Sequence, residues 1–109
     1  MATTYKVLGQ VNPSAATATT AYTVPAATET VISTITVANL GPAPATYKLA
    51  VRPNGEALAN KHYLVYDSSV APQSTDTLTL GITLDATDVV TVFASTATMA
   101  FNLFGSEIA

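Results

Sequence analysis

His62 is the only histidine in the chain, and with Asp67 and one of several serines it could on paper form a hydrolytic triad. Such chemistry needs a nucleophile held against its base, and no Gly-x-Ser-x-Gly turn or other nucleophile context accompanies His62. Within Asn60-Lys61-His62-Tyr63 it reads instead as a polar residue at a strand edge. Transition metals usually want several His or Cys ligands, and the chain offers one and none. Asp85 and Asp88 bracket a loop and, with Asp76 or Glu29, could present hard oxygens to Ca²⁺. An Asp-x-x-Asp turn has a plainer role, because Asp side chains accept hydrogen bonds from nearby backbone. The sequence therefore predicts a non-enzymatic protein with no metal and no cofactor.

Two further groups of residues bear on binding rather than turnover. Thr-x-Thr pairs recur at Thr17/Thr19, Thr34/Thr36, Thr77/Thr79 and Thr96/Thr98, as a carbohydrate- or ice-binding face would require. Their spacing is irregular and no repeat stacks them, so they fit the outward face of ordinary strands, where β-branched Thr is favoured. The five tyrosines and three phenylalanines supply either core packing or contact surface, aromatics being enriched at interfaces. The interface residues expected from sequence are Thr3, Thr4, Tyr5, Tyr22, Asn54, Tyr66 and Phe104.

The elements that position these residues repeat with period two. Tyr5, Val7 and Val11 alternate with Lys6, Leu8 and Gln10. Val31, Ser33, Ile35 and Val37 alternate with Ile32, Thr34, Thr36 and Ala38. Tyr47, Leu49 and Val51 lie opposite Lys48, Ala50 and Arg52, and Leu78, Leu80, Ile82 and Leu84 opposite Thr77, Thr79, Gly81 and Thr83. Val90, Val92 and Ala94 oppose Thr91 and Phe93, and Met99, Phe101 and Leu103 oppose Ala100, Asn102 and Phe104. This is the pattern of strands with one face in a core. No stripe at helical spacing persists, so little or no helix is expected. Breaks fall at Asn12-Pro13-Ser14, Pro25, Gly41-Pro42-Ala43-Pro44, Pro53-Asn54-Gly55, Ala71-Pro72 and Asp85–Asp88. Short strands separated by such turns predict an all-β, antiparallel two-sheet β-sandwich, immunoglobulin-like in connectivity, with a jelly roll as the alternative. Residues 1–21, small and weakly patterned, form an N-terminal arm or edge segment, and residues 22–109 the single sandwich domain.

Composition narrows the function. The 109 residues suffice for one domain. Charged residues make up only 10%, against roughly 25% in ordinary soluble domains. Thr and Ala together supply roughly a third of the chain, far above common usage. Four Lys+Arg against seven Asp+Glu exclude electrostatic nucleic-acid binding. The absence of Cys removes disulfides and thiol chemistry. Met1 to Lys6 lacks the basic region and apolar core of a secretory signal, and no apolar run approaches the ~18 residues that would span a bilayer. Synthesis in the cytosol, without Sec-type export, is expected. Free monomers normally spread charge over their surface, whereas interfaces deplete Lys, Glu and Asp. A surface this neutral suits a domain docked in an assembly.

The blocks Tyr22-Thr23-Val24-Pro25-Ala26, Val37-Ala38-Asn39, Ala50-Val51-Arg52-Pro53 and Leu58-Ala59-Asn60-Lys61-His62-Tyr63 resemble small virion structural proteins of tailed bacteriophages. Leu80-Gly81-Ile82-Thr83-Leu84, Ala86 to Val92, Ala94-Ser95-Thr96 and Phe101 to Ile108 continue the resemblance, which runs from Tyr5 to the end of the chain. As a free-standing domain without a fibre-like repeat, the chain is most similar in kind to capsid decoration (cement) proteins. The resemblance implies a homotrimer that binds the major capsid protein on the outer capsid surface of the virion, assembled in the host cytoplasm. It also implies that the N-terminal segment reaches a neighbour as an arm and orders on docking, and the acidic balance agrees with a place away from packaged DNA. The alternatives are a tail, neck or fibre module that meets a host receptor through Pro53-Asn54-Gly55 and Asp85–Asp88, and a Thr-rich adhesin that binds carbohydrate.

Overall fold

The computed structural model describes residues 2–109. Its nine strands are β1 (Thr3–Val11), β2 (Thr19–Thr23), β3 (Glu29–Asn39), β4 (Ala45–Arg52), β5 (Tyr63–Val70), β6 (Ser74–Leu78), β7 (Ile82–Leu84), β8 (Val89–Ala94) and β9 (Met99–Ile108). Helical structure among the described residues is confined to two 3-10 turns, Pro53–Gly55 and Asn60–His62. One sheet runs β1-β9-β3-β6, with β7 also on β3, and the other runs β2-β8-β4-β5. Every pairing is antiparallel. The all-β two-sheet sandwich expected from the alternation is present.

Of the two connectivities weighed from sequence, the strand order is that of the jelly roll. β1 pairs β9, β2 pairs β8, β3 pairs β6 and β7, and β4 pairs β5, a nested hairpin rolled so that its first four strands fall alternately in the two sheets. The immunoglobulin-like arrangement would keep the first two strands in one sheet. Here residues 12–18 carry the chain from one sheet to the other, with Ala16 in the left-handed region at φ 53°. Alternating strands look alike in both folds, so periodicity alone could not separate them.

Strand β9 is the centre of the first sheet, paired along its length with β1 on one side and β3 on the other. Its Met99, Phe101 and Leu103 are fully buried against Tyr47, Leu49 and Val92 of the second sheet. The Tyr47 and Phe101 rings meet edge to face, centroids 5.9 Å apart and planes at 72°, the arrangement that brings a positive ring edge onto a negative face.

Two bulges re-aim the flanking strands. The β1–β9 register slips between Val7 and Gly9, and the β3–β9 register slips between Ile32 and Thr34. Leu8 and Ser33 are therefore the extra residues, each beside Phe104. The bulges overturn part of the expected facing: Leu8 is buried and Val7 exposed, and Ile32 lies inward with Ile35 and Val37. Gly105 is required at this point. A Cβ there would overlap the Val31 carbonyl, which is backbone in the sheet and cannot step aside. Gly9 is held to the same rule by the Ala21 carbonyl of β2.

Two other expectations change. The run from Leu78 to Leu84 is not one strand, because Gly81 at φ 64° breaks it into β6 and β7 and leaves Leu80 52% exposed. The N-terminal segment is an edge segment rather than an arm, since β1 and β2 each complete a sheet. Its small residues escaped a core assignment because edge strands bury little.

Asn39 closes one end of the sandwich. It is buried, yet its Nδ2 donates to the carbonyls of Ala43 (2.8 Å) and Val70 (3.2 Å). Its Oδ1 accepts from the Gly41 N–H (3.0 Å) and the Thr98 hydroxyl (3.1 Å). One side chain thus satisfies groups from three loops, as a buried amide must.

Gly105→Ala is expected to lower stability by about 2–4 kcal/mol, the range of severe core disruptions, whereas Ser106→Ala next to it stays within about 0.5 kcal/mol. Urea unfolding followed by circular dichroism checks both, and equal midpoints for the two variants would remove the steric requirement at Gly105.

Candidate functional site

Four of the seven residues expected at an interface meet on one corner of the first sheet. Thr3 pairs with Ile108, Thr4 with Glu107, Tyr5 with Ser106 and Val7 with Phe104. Thr3, Thr4 and Tyr5 are exposed, Tyr5 to 83%, and Val7 beside them to 46%. Tyr5, Val7, Val31, Ser33, Phe104 and Ser106 line a shallow open depression of about 510 Å³ on the outer face. It exists because the bulges at Leu8 and Ser33 turn Val7 and Val31 outward on either side of Phe104. β1, β3 and β9 all contribute apolar side chains, and Lys6 is the one charged residue in its lining.

Tyr22 departs from the expectation. It is only 8% exposed, and its hydroxyl bonds to Thr30 at 2.8 Å and donates to Glu107 at 2.5 Å. It tethers β2 of one sheet to β3 and β9 of the other and is not available to a partner. Lys6 completes the cluster with its ammonium 3.1 Å from Glu107 Oε1. Burial first, then the Glu107 carboxylate, pushes the Tyr22 phenol up to about 12. The Tyr22 hydrogen bond, supported by Lys6, holds Glu107 below its usual range. Burial and the nearby Asp76 carboxylate push Tyr47 up to about 12 as well.

Tyr66 and Asn54 lie elsewhere, on separate features. Tyr66, 63% exposed on β5, meets Tyr63 edge to face at 5.0 Å. Lys48 lies 4.6 Å from the Tyr66 ring and 4.3 Å from the Phe93 ring, and its ammonium bonds to Asp67 at 2.5 Å. Cation–π attraction and an ion pair together hold this lysine flat on the sheet. Asn60, Tyr63 and Tyr66 line an open depression of about 400 Å³.

Asn54, at φ 53° in its turn, packs against the Asp85–Asp88 loop. Asp88 accepts the Asn54 N–H on Oδ1 and the Asp85 N–H on Oδ2, each at 2.9 Å. The Thr87 hydroxyl donates to Asn54 Oδ1 at 2.6 Å. The two loops suggested as receptor readers are therefore one hydrogen-bonded unit, and the Asp88 oxygens already hold backbone donors. Among the described residues no group of three or more potential ligands is placed to hold a metal ion.

His62 is buried at the end of its 3-10 turn rather than at an exposed strand edge. Its Nδ1 accepts the Ala59 N–H at 3.0 Å, which leaves the ring proton on Nε2, 3.3 Å from Glu56 Oε1. The His62 hydrogen bond, and then Lys61, lower the Glu56 carboxyl. Asp67, the other member of the conceivable triad, is bound to Lys48 instead. The Thr-x-Thr pairs are likewise dispersed: Thr36 faces Thr77 across β3 and β6, while Thr96 and Thr98 bond to each other at 2.7 Å.

The outer corner was only half visible in sequence. Val7 and Val31 were missed because each follows the period that the adjacent bulge breaks; Gly9 and Gly105 were the signals available. No family model, curated protein or solved structure matches the chain.

Both buried phenols have folded values raised above the unfolded value near 10. The stability they contribute by staying neutral is complete below pH ~10 and lost as pH rises through ~12. Thermal unfolding is expected to fall steeply across that window, and the Tyr22→Phe, Tyr47→Phe double variant to flatten the fall while losing about 1 kcal/mol per hydrogen bond at neutral pH. Glu107 works in the opposite sense: its lowered value adds stability above the ordinary Glu range near 4.3 that fades as pH falls below it. Melting curves from pH 3 to 12 read both flanks, and a wild-type alkaline flank no steeper than that of the double variant would contradict the assignment.

Proposed function

We propose that this chain is a non-enzymatic structural protein of a tailed-phage virion, a decoration protein that binds the major capsid protein on the outer capsid surface. The observation that carries the proposal is the outward-turned apolar corner around Tyr5, Val7, Val31 and Phe104. A folded monomer gains nothing from turning these side chains toward water, and covering them removes apolar area at about 25 cal/mol per Å². The neutral surface agrees, since interface cores are poor in Lys, Glu and Asp. The sequence blocks that resemble phage virion proteins support the particular assembly.

The mechanism is one of linkage. A protein that binds across neighbouring capsid subunits, and only when they are in place, stabilises the joined state by RT ln(1 + [L]/Kd) per site. No catalytic group is needed for that. The rigid sandwich holds its contact residues in position, so little ordering is required on docking.

A second reading, a tail or fibre module that touches a host receptor, is favoured by one feature, the depression lined by Asn60, Tyr63 and Tyr66. Exposed rings beside an amide suit a sugar ring. Co-sedimentation separates the two. Purified protein is expected to pellet stoichiometrically with heads lacking a decoration protein, and Val7→Lys to weaken that binding at least tenfold while Tyr66→Ala leaves it unchanged. Absence of head binding, together with Tyr66-dependent binding to host cells, would establish the receptor reading instead.

A further inference from the structure

We propose that β1 is a self-pairing edge: two copies of the chain join by antiparallel pairing of their Thr3–Val7 segments about a two-fold axis at Tyr5. Such pairing would make one sheet continuous through both. The inference does not depend on the virion reading.

The hydrogen-bond phase of β1 carries it. Ala2 and Ala109 exchange both backbone hydrogen bonds, Ala2 N–H to Ala109 at 2.7 Å and Ala109 N–H to Ala2 at 2.9 Å. In an antiparallel ladder such pairs alternate with pairs that make none. Thr4 and Lys6 therefore bond to β9, while Thr3, Tyr5 and Val7 aim their N–H and C=O groups away from it, at the open edge. All five residues from Thr3 to Val7 are exposed. Beyond Val7 the edge is closed by the bulge at Leu8 and by β2, whose Ala21 carbonyl approaches Gly9.

The other three edges are blunted. β6 and β7 are five and three residues long and broken at Gly81. β2 has five residues and a register shift between Thr20 and Tyr22. β5 has two register shifts and Asp67 at φ 56°. Short strands, bulges and kinks are the usual means of preventing edge-to-edge association. The Thr3–Val7 stretch has no Pro and no bulge within it, and its one charge, Lys6, is already paired with Glu107.

The occupant that suits this edge is a second copy. With Tyr5 opposite its own equivalent, Thr3 faces Val7 and Thr4 faces Lys6, so no like charges confront each other across the join. Three pairs would then supply about six backbone hydrogen bonds, and the Tyr5 side chains would stack on the outer face beside Val7. A two-fold, self-complementary contact is the commonest form of homo-oligomer. It stands in place of the trimer that the resemblance implies.

Sedimentation velocity over a concentration series tests the pairing. The wild-type chain is expected to reach twice its 11.2 kDa mass. Tyr5→Pro deletes an N–H that β9 does not use, so it should keep the fold while raising the dimer dissociation constant at least tenfold. Tyr5→Lys, which sets like charges together on the axis, should do the same and decides the matter should Tyr5→Pro not fold. Register has its own readout, because the chain has no cysteine. Tyr5→Cys should form a disulfide-linked dimer on mild oxidation, and Ser106→Cys, inside the sheet, should not. A wild-type monomer at high concentration, a trimer, or a dimer that survives both Tyr5 variants would overturn the proposal, as would equal crosslinking of the two cysteine variants.

Discussion

The register of β9 governs the rest of this molecule. It lies between β1 and β3, and its inward side chains Phe101 and Leu103 occupy the middle of the core. Because side chains alternate along a strand, a slip of one residue would exchange core for surface on the whole sheet. The slip is prevented by geometry rather than by a single strong bond. Gly105 admits the Val31 carbonyl at one point only, and the bulges at Leu8 and Ser33 lock the flanking strands to it. The apolar corner and the polar tether Tyr22–Glu107–Lys6 are both outcomes of that one alignment: beyond the bulges, Glu107 faces inward and Phe104 outward.

The two ends of the sandwich are closed by polar side chains that each hold more than one partner. Asn39 gathers loops at one end, and Asp88 joins the Asn54 turn to its own loop at the other. In both cases the cost of burying or immobilising a polar group is offset by several backbone partners. These residues hold the loops in fixed shapes. The same logic applies to His62, whose two ring nitrogens are each committed to a neighbour.

Much of the fold was legible in the sequence. Tyr47 and Leu49, Val90 and Val92, and Met99, Phe101 and Leu103 face the core as their alternation predicts. Strands β1 and β3 were legible only in part, since a bulge inserts an ordinary residue and leaves no compositional mark except the glycine it requires opposite. Connectivity was not legible, because the choice between jelly roll and immunoglobulin-like order depends on which distant strands pair. Of the interface residues, Thr3, Thr4, Tyr5 and Phe104 meet on one corner while Tyr22 does not. An aromatic in a short edge strand gives no sign of whether its hydroxyl will find a buried carboxylate.

The sparse cations have a consequence for how the chain would meet a trypsin-like protease. Lys6 and Lys48 lie within strands, and Lys48 is pinned between two rings. Arg52 precedes Pro53, a bond such enzymes do not cut. Lys61, whose side chain is 72% accessible, stands in the connection between β4 and β5. Digestion is thereby restricted to a single nick after Lys61, and the two fragments would remain interleaved, since each contributes strands to both sheets.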